Sequence, residues 1–146
     1  MADPEEISAS VVDAALRIHR ELGPGLLESV YETVLAGALA RQGYQVEQQK
    51  MIGIEFDGMR FEGAFRADLL IENSLLVEIK SVERLQAVHG KQVLTYLRLM
   101  GLPIGLLINF GGETLKEGLK RIVNGHHAFA SSRLRVNQNP SSSSGA

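Results

Sequence analysis

At 146 residues, 45% apolar and 22% charged, the chain has the size and composition of one soluble globular domain with a real core to bury. It has no cysteine, which excludes a disulfide framework, thiolate chemistry and a cysteine-held zinc site. A net charge of −2 argues against a broad phosphate-binding surface, and the acidic start, residues 1–6, with no apolar run near the eighteen or so residues of a membrane span, leads us to expect a cytoplasmic protein.

Taken in order, residues 6–21 place Ile7, Val11, Ala14, Ala15, Ile18 and Leu22 at helical spacing, with Ser8 or Ser10 as the expected cap. Gly23-Pro24-Gly25 stops that helix. A second helix is expected over 26–42, with Leu27, Val30, Tyr31, Val34, Leu35, Ala38 and Leu39 inward, Glu28 in its first turn and Gly43 at its end. Glu28 there either complements the helix dipole or faces a site on a neighbouring sheet. Extended segments follow over 44–50, 52–56 and 59–65, the last two joined by the hairpin signal Asp57-Gly58.

Residues 85–100 read as a helix with Val88, Val93, Leu94, Leu97 and Leu99 or Met100 toward the core and Gly101 as terminator; Gln92 and Tyr96, four apart, share a face. The apolar run 102–110 reads as a strand covered on both sides, laid parallel to the strand before the helix by a right-handed crossover. Residues 119–123 are expected to be a last strand. Lys116, Lys120, Arg121, His126, His127, Arg133 and Arg135 form a late basic stretch opposed only by Glu117, either a phosphate-binding patch or a solvated edge and tail. From 125 onward the Asn, Ser, Pro and Gly content predicts a flexible polar tail, leaving 1–124 as the single folded domain.

Between these elements lies the stretch that carries chemistry. Leu69 to Ile71 and Leu75 to Val77 read as buried strands joined by a turn, yet ionisable residues intrude on both. Period-two alternation puts Glu78 and Lys80 on one face, roughly 6 to 7 Å apart along the strand. A two-residue turn at Asn73-Ser74 would set Asp68 opposite Ile79. A three-residue turn that includes Glu72 sets it opposite Glu78 instead, and this, or an equivalent bulge, is the expected register. Two carboxylates that close need a cation between them, and hard oxygen donors favour magnesium or manganese over zinc.

A helix-borne glutamate, an aspartate on one strand and Glu-x-Lys on the next, then a helix and another strand, resembles the PD-(D/E)XK nuclease superfamily. More narrowly, Gly25-x-x-Glu28-x-x-Tyr31 resembles the signature of the small GxxExxY proteins. Ile18-His19-Arg20, Arg66-Ala67-Asp68, Glu78-Ile79-Lys80, His89 with Gln92 and Tyr96, Asn109-Phe110-Gly111 and Lys120-Arg121-Ile122-Val123 are also similar to that family. The resemblance covers roughly 7–124.

It implies an α/β fold with a restriction-endonuclease-like core, a mixed β-sheet flanked by α-helices. It further implies a Mg²⁺-dependent nuclease, Mn²⁺ substituting, that hydrolyses phosphodiesters with DNA as the expected nucleic acid. Asp68, Glu78, the Ile79 carbonyl and Glu28 would hold the metal. Lys80 would position the attacking water, and Gln92 and Tyr96 would orient Lys80 or the scissile strand. His19 and His89 are weaker catalytic candidates than structural ones. Ala67 stands where the superfamily's name has proline, which removes no ligand. A homodimer or protein partner is expected where a duplex must be embraced, and the alternative function is a catalytically weak module on the same fold that binds nucleic acid or a protein.

Overall fold

The computed structural model describes residues 3–125. Helix α1 (Pro4–Leu22) begins with proline at its first position and is capped by Asp3, whose carboxylate accepts from the Glu5 N–H at 3.1 Å. Neither expected serine caps it: Ser8 lies on the buried face with Ile7, Val11, Ala14, Ala15 and Ile18, and the Ser10 hydroxyl meets the Tyr44 hydroxyl at 2.8 Å. Four residues, Pro24 to the N-cap Leu27, separate Gly23, at φ 71°, from the start of α2 (Glu28–Arg41).

Helix α2 is turned relative to the sequence expectation. Tyr31, Leu35, Ala36 and Leu39 are buried, and so is Glu32, whereas Leu27 is outside and Val30 and Val34 remain 38% and 39% exposed. The cause is Tyr31, whose ring stacks on Phe110 at 4.4 Å while its hydroxyl reaches the preceding loop, so the helix rotates toward the 31/32/35/36/39 stripe.

The extended segments fuse into two long strands, β1 (Val46–Phe56) and β2 (Met59–Ile71), closed by Asp57 and Gly58 at φ 54° and 74° as the hairpin signal requires. Strand β3 (Leu75–Lys80) leads through α3 (Ala87–Met100) to β4 (Ile104–Asn109), then a short 3₁₀ turn, Lys116–Gly118, and β5 (Leu119–Val123). The five-stranded sheet keeps the chain order β1-β2-β3-β4-β5, with β3 and β4 parallel across the α3 crossover and the other pairs antiparallel.

One face of this sheet, with Leu69, Ile71, Val77, Ile79, Leu106 and Ile108, packs under α1 and α2; the other, with Ala67, Leu76 and Leu107, packs under Val93 and Leu97 of α3. Val88, expected inside, is exposed, and of the alternatives Leu99 and Met100 it is Met100 that packs inward, because the short inner stripe of α3 is set by Val93 and Leu97. Strand β4 is buried throughout, as its unbroken apolar run predicts. Of the late basic stretch, Arg121 pairs with Glu5 at the surface, while His126, His127, Arg133 and Arg135, and the tail, lie outside the described residues.

Candidate active site

Strands β2 and β3 pair Leu69 with Val77, Leu70 with Leu76 and Ile71 with Leu75. Glu72, Asn73 and Ser74 make the three-residue connection that the register argument favours, with Glu72 and Asn73 both at φ 54° and the Ser74 N–H on the Ile71 carbonyl at 3.0 Å. One step beyond Leu69–Val77, Asp68 therefore faces Glu78, and there side chains take over from the backbone ladder. The Asp68 N–H donates to Glu78 Oε2 at 2.8 Å, and the Ile79 N–H donates to Asp68 Oδ2 at 2.8 Å. Each carboxylate fastens the opposite strand.

A change of face accompanies the clasp. Ala67 packs with the α3 cluster and Leu69 with the α1/α2 cluster, although residues two apart on a regular strand share a face. The switch falls at Asp68, across from Gln49, which stands between the pairs Gln48–Leu69 and Lys50–Ala67 and has φ 51°. The strand thus turns its aspartate out of both hydrophobic layers and toward the end of β3. The Lys80 carbonyl accepts from Phe110 on the β4 side, so alternation directs the Ile79 carbonyl to the β2 side, where Asp68 lies.

Glu78 is 4% exposed. Burial, then the neighbouring Asp68 carboxylate, push its pKa up to about 8, Glu32 adding in the same sense, against the opposing Asp68 N–H bond and the Lys80 ammonium. Lys80 is half-buried and alternates onto the same face as Glu78. Tyr96, stacked on Phe65 at 4.0 Å, has its pKa raised by burial and by Glu78 and Asp68, with a hydrogen bond to Gln92 opposing. Tyr96 therefore feels the two carboxylates from the α3 side, with Gln92 hydrogen-bonded to it.

Glu28 stands at the other wall. Its Oε2 accepts from the Ser81 N–H at 3.3 Å, and the Ser81 hydroxyl donates to the Leu26 carbonyl at 2.7 Å. Tyr31 closes this loop, donating to the Gly23 carbonyl and accepting from the Leu26 N–H. The Gly-x-x-Glu-x-x-Tyr spacing thereby acquires a physical meaning: Gly25 at φ 105° makes the bend, Glu28 ties it to the residue after Lys80, and Tyr31 locks it from beneath. A cavity of about 590 Å³ opens between α2 and the strands, lined by Glu28, Glu32, Gln49, Asp68 and Ser81 among others.

The β4 side is equally fixed. Buried Asn109 accepts from the N–H groups of Val82 at 2.9 Å and Gly111 at 3.0 Å and donates to the Val82 carbonyl at 2.9 Å. A Cβ on Gly111 would come within 2.2 Å of that carbonyl, so only glycine fits.

Both candidate histidines make local structural contacts: His19 Nε2 meets the Gly112 carbonyl at 2.9 Å, and His89 Nδ1 accepts from the Gln86 N–H at 2.9 Å as part of the α3 cap. Sequence reading missed Glu32, Gln48 and Gln49. Glu32 Oε2 accepts from Gln48 at 3.1 Å and Oε1 from Gln49 at 2.7 Å, and Gln49 also donates to Asp68 Oδ1 at 3.2 Å. Glu32 is four residues after Glu28 and so on its helical face; that spacing was the available signal.

Among the described residues no group of three His, Cys, Asp or Glu side chains is close enough to hold a metal. Asp68 and Glu78 remain a fitting pair for a hard divalent ion: they supply carboxylate oxygens side by side, and the raised pKa of Glu78 reports a buried carboxyl short of positive charge. Magnesium typically takes one or two carboxylates and keeps several waters, so a third acidic side chain is not required.

The chain belongs to the PD-(D/E)XK nuclease superfamily, whose family model matches residues 5–122. The mixed sheet between helical layers is the restriction-endonuclease-like fold of that class. Among solved structures, the chain is similar to the crystal structure of SSO0001, at 19% identity and a TM-score of 0.48 over 79% of this chain; the match spans 61% of that chain. No curated protein matches it significantly.

Proposed function

We propose that the protein is a Mg²⁺-dependent nuclease that hydrolyses phosphodiester bonds, with DNA as its substrate and Mn²⁺ as a working substitute. Membership of a nuclease superfamily supports the reaction class. The observation that carries the reading is the clasp itself: Asp68 and Glu78 are held side by side at the open end of β2 and β3, with Lys80 two residues on. The Gly25-x-x-Glu28-x-x-Tyr31 motif and its loop geometry support a place in the GxxExxY branch.

Asp68 and Glu78, with the Ile79 carbonyl, would hold the ion. When bound it would lower the pKa of its water and offset charge on the phosphate oxygens. Lys80 holds the attacking water in line and compensates negative charge as the phosphorane develops. Gln92 and Tyr96, on the α3 side, would orient Lys80 or the scissile strand. Glu28 engages Ser81 and acts on the site through that contact or through water, since it joins no three-ligand cluster with Asp68 and Glu78.

A panel of single-stranded, double-stranded, branched and RNA substrates incubated with Mn²⁺ tests the reading. Product release that disappears in Asp68→Ala supports it. Binding without cleavage on every substrate would instead favour a catalytically weak module on the same fold.

A further inference from the structure

We propose that Gln49, anchored by Glu32, is a positioning residue for Asp68. The proposal rests on the reading of Asp68 as a metal-holding carboxylate. Its basis is that Gln49 adopts φ 51°, a left-handed conformation seldom taken by residues other than glycine and asparagine, in the middle of a strand. What that conformation achieves is the aim of its amide. Nε2 donates to Glu32 Oε1 at 2.7 Å and to Asp68 Oδ1 at 3.2 Å. A carboxylate only accepts, so both protons of the amide are committed and its orientation is set by the two acids it joins.

Glu32 supplies the fixed end. It is 8% exposed on the inner face of α2, and among the described residues its carboxylate is in no ion pair with Lys or Arg; Gln48 and Gln49 are its donors. A buried carboxylate answered only by amides is costly for a purely structural contact. Placed here, it holds the Gln49 amide rigid, and that amide meets one oxygen of Asp68 while the Ile79 N–H meets the other at 2.8 Å. The Asp68 carboxylate is therefore gripped from β1 on one side and β3 on the other, at the point where β2 changes face. Residues that orient a metal-binding side chain in this way are typically worth 10- to 100-fold in metal affinity.

The test uses Gln49→Gly in the full chain. Glycine is at ease at positive φ, so the substitution removes the amide without adding backbone strain. With the metal-free protein, hydrogen exchange at the Ile79 amide should accelerate about tenfold as Asp68 loosens, while the Leu76 amide is unchanged. In a calorimetric titration with Mg²⁺, affinity should fall by about 10- to 100-fold. Glu32→Ala should act through the same amide, so that the double variant is no weaker than Gln49→Gly.

Unchanged Ile79 exchange overturns the proposal, as does unchanged Mg²⁺ affinity in Gln49→Gly when Asp68→Ala abolishes it. If Asp68→Ala leaves Mg²⁺ affinity intact, the metal-site reading fails instead, and Ile79 exchange still decides whether Gln49 holds Asp68.

Discussion

Asp68 and Glu78 face each other across two strands, and each spends an oxygen on the other strand's backbone N–H. That reciprocity keeps two carboxylates close despite their repulsion, and it separates their roles from that of Lys80, which holds neither. Asp68→Ala removes one oxygen pair and releases the Ile79 N–H; we expect loss of Mg²⁺ binding and of cleavage together, with circular dichroism unchanged. Lys80→Ala should keep the ion and lose turnover by about 10²- to 10³-fold, the size of removing one preorganised charge-stabilising group. Unchanged Mg²⁺ affinity in Asp68→Ala would remove it from the metal site, and full activity in Lys80→Ala would remove Lys80 from the chemistry.

At the scale of elements, the segment after Lys80 is held from two sides: the α1–α2 loop, through Tyr31, Leu26 and Ser81, and Asn109 on β4. Tyr31→Phe keeps the stack on Phe110 and deletes the hydroxyl that bridges Gly23 and Leu26. We expect a loss of about 1 kcal/mol in urea unfolding, the ordinary worth of such a bond. Gly111→Ala should be far worse, yielding little folded protein, because the added methyl meets backbone rather than a movable side chain.

Much of this was legible in sequence. Alternation around Glu78 and the turn residues 72–74 gave the register of Asp68, and Asp57-Gly58 gave the hairpin. The rotation of α2 was not legible, since Val30 and Val34 are as apolar as the residues that went inside and only the distant Phe110 decides between the two faces. The Glu32–Gln49–Asp68 chain was hidden for a related reason: a left-handed glutamine inside a strand has no propensity signal, and its partners lie 17 and 19 positions away. Local pattern gives periodicity; long-range contacts choose the phase.

The whole molecule carries the consequence of burying Glu78. Folding raises its pKa from an ordinary 4.5 to about 8, through burial first and Asp68 second. Between those values the native state keeps a proton that the unfolded chain has released, so the proton-linked stability is complete below the unfolded pKa and is lost as pH rises through the folded one. Metal-free protein should therefore lose stability steadily from about pH 5 to about pH 8.

Glu78→Gln, which cannot ionise, should flatten that slope while preserving an acceptor for the Asp68 N–H. Mg²⁺ acts with the opposite trend, because the ion binds the deprotonated carboxylate: its stabilisation should grow over the same interval and be accompanied by proton release in calorimetry. Thermal denaturation of wild type and Glu78→Gln across this range, with and without Mg²⁺, checks both halves. Parallel pH profiles for the two metal-free proteins would show that Glu78 ionises in the native state as readily as in the unfolded chain, and the electrostatic account of the clasp would fall with it.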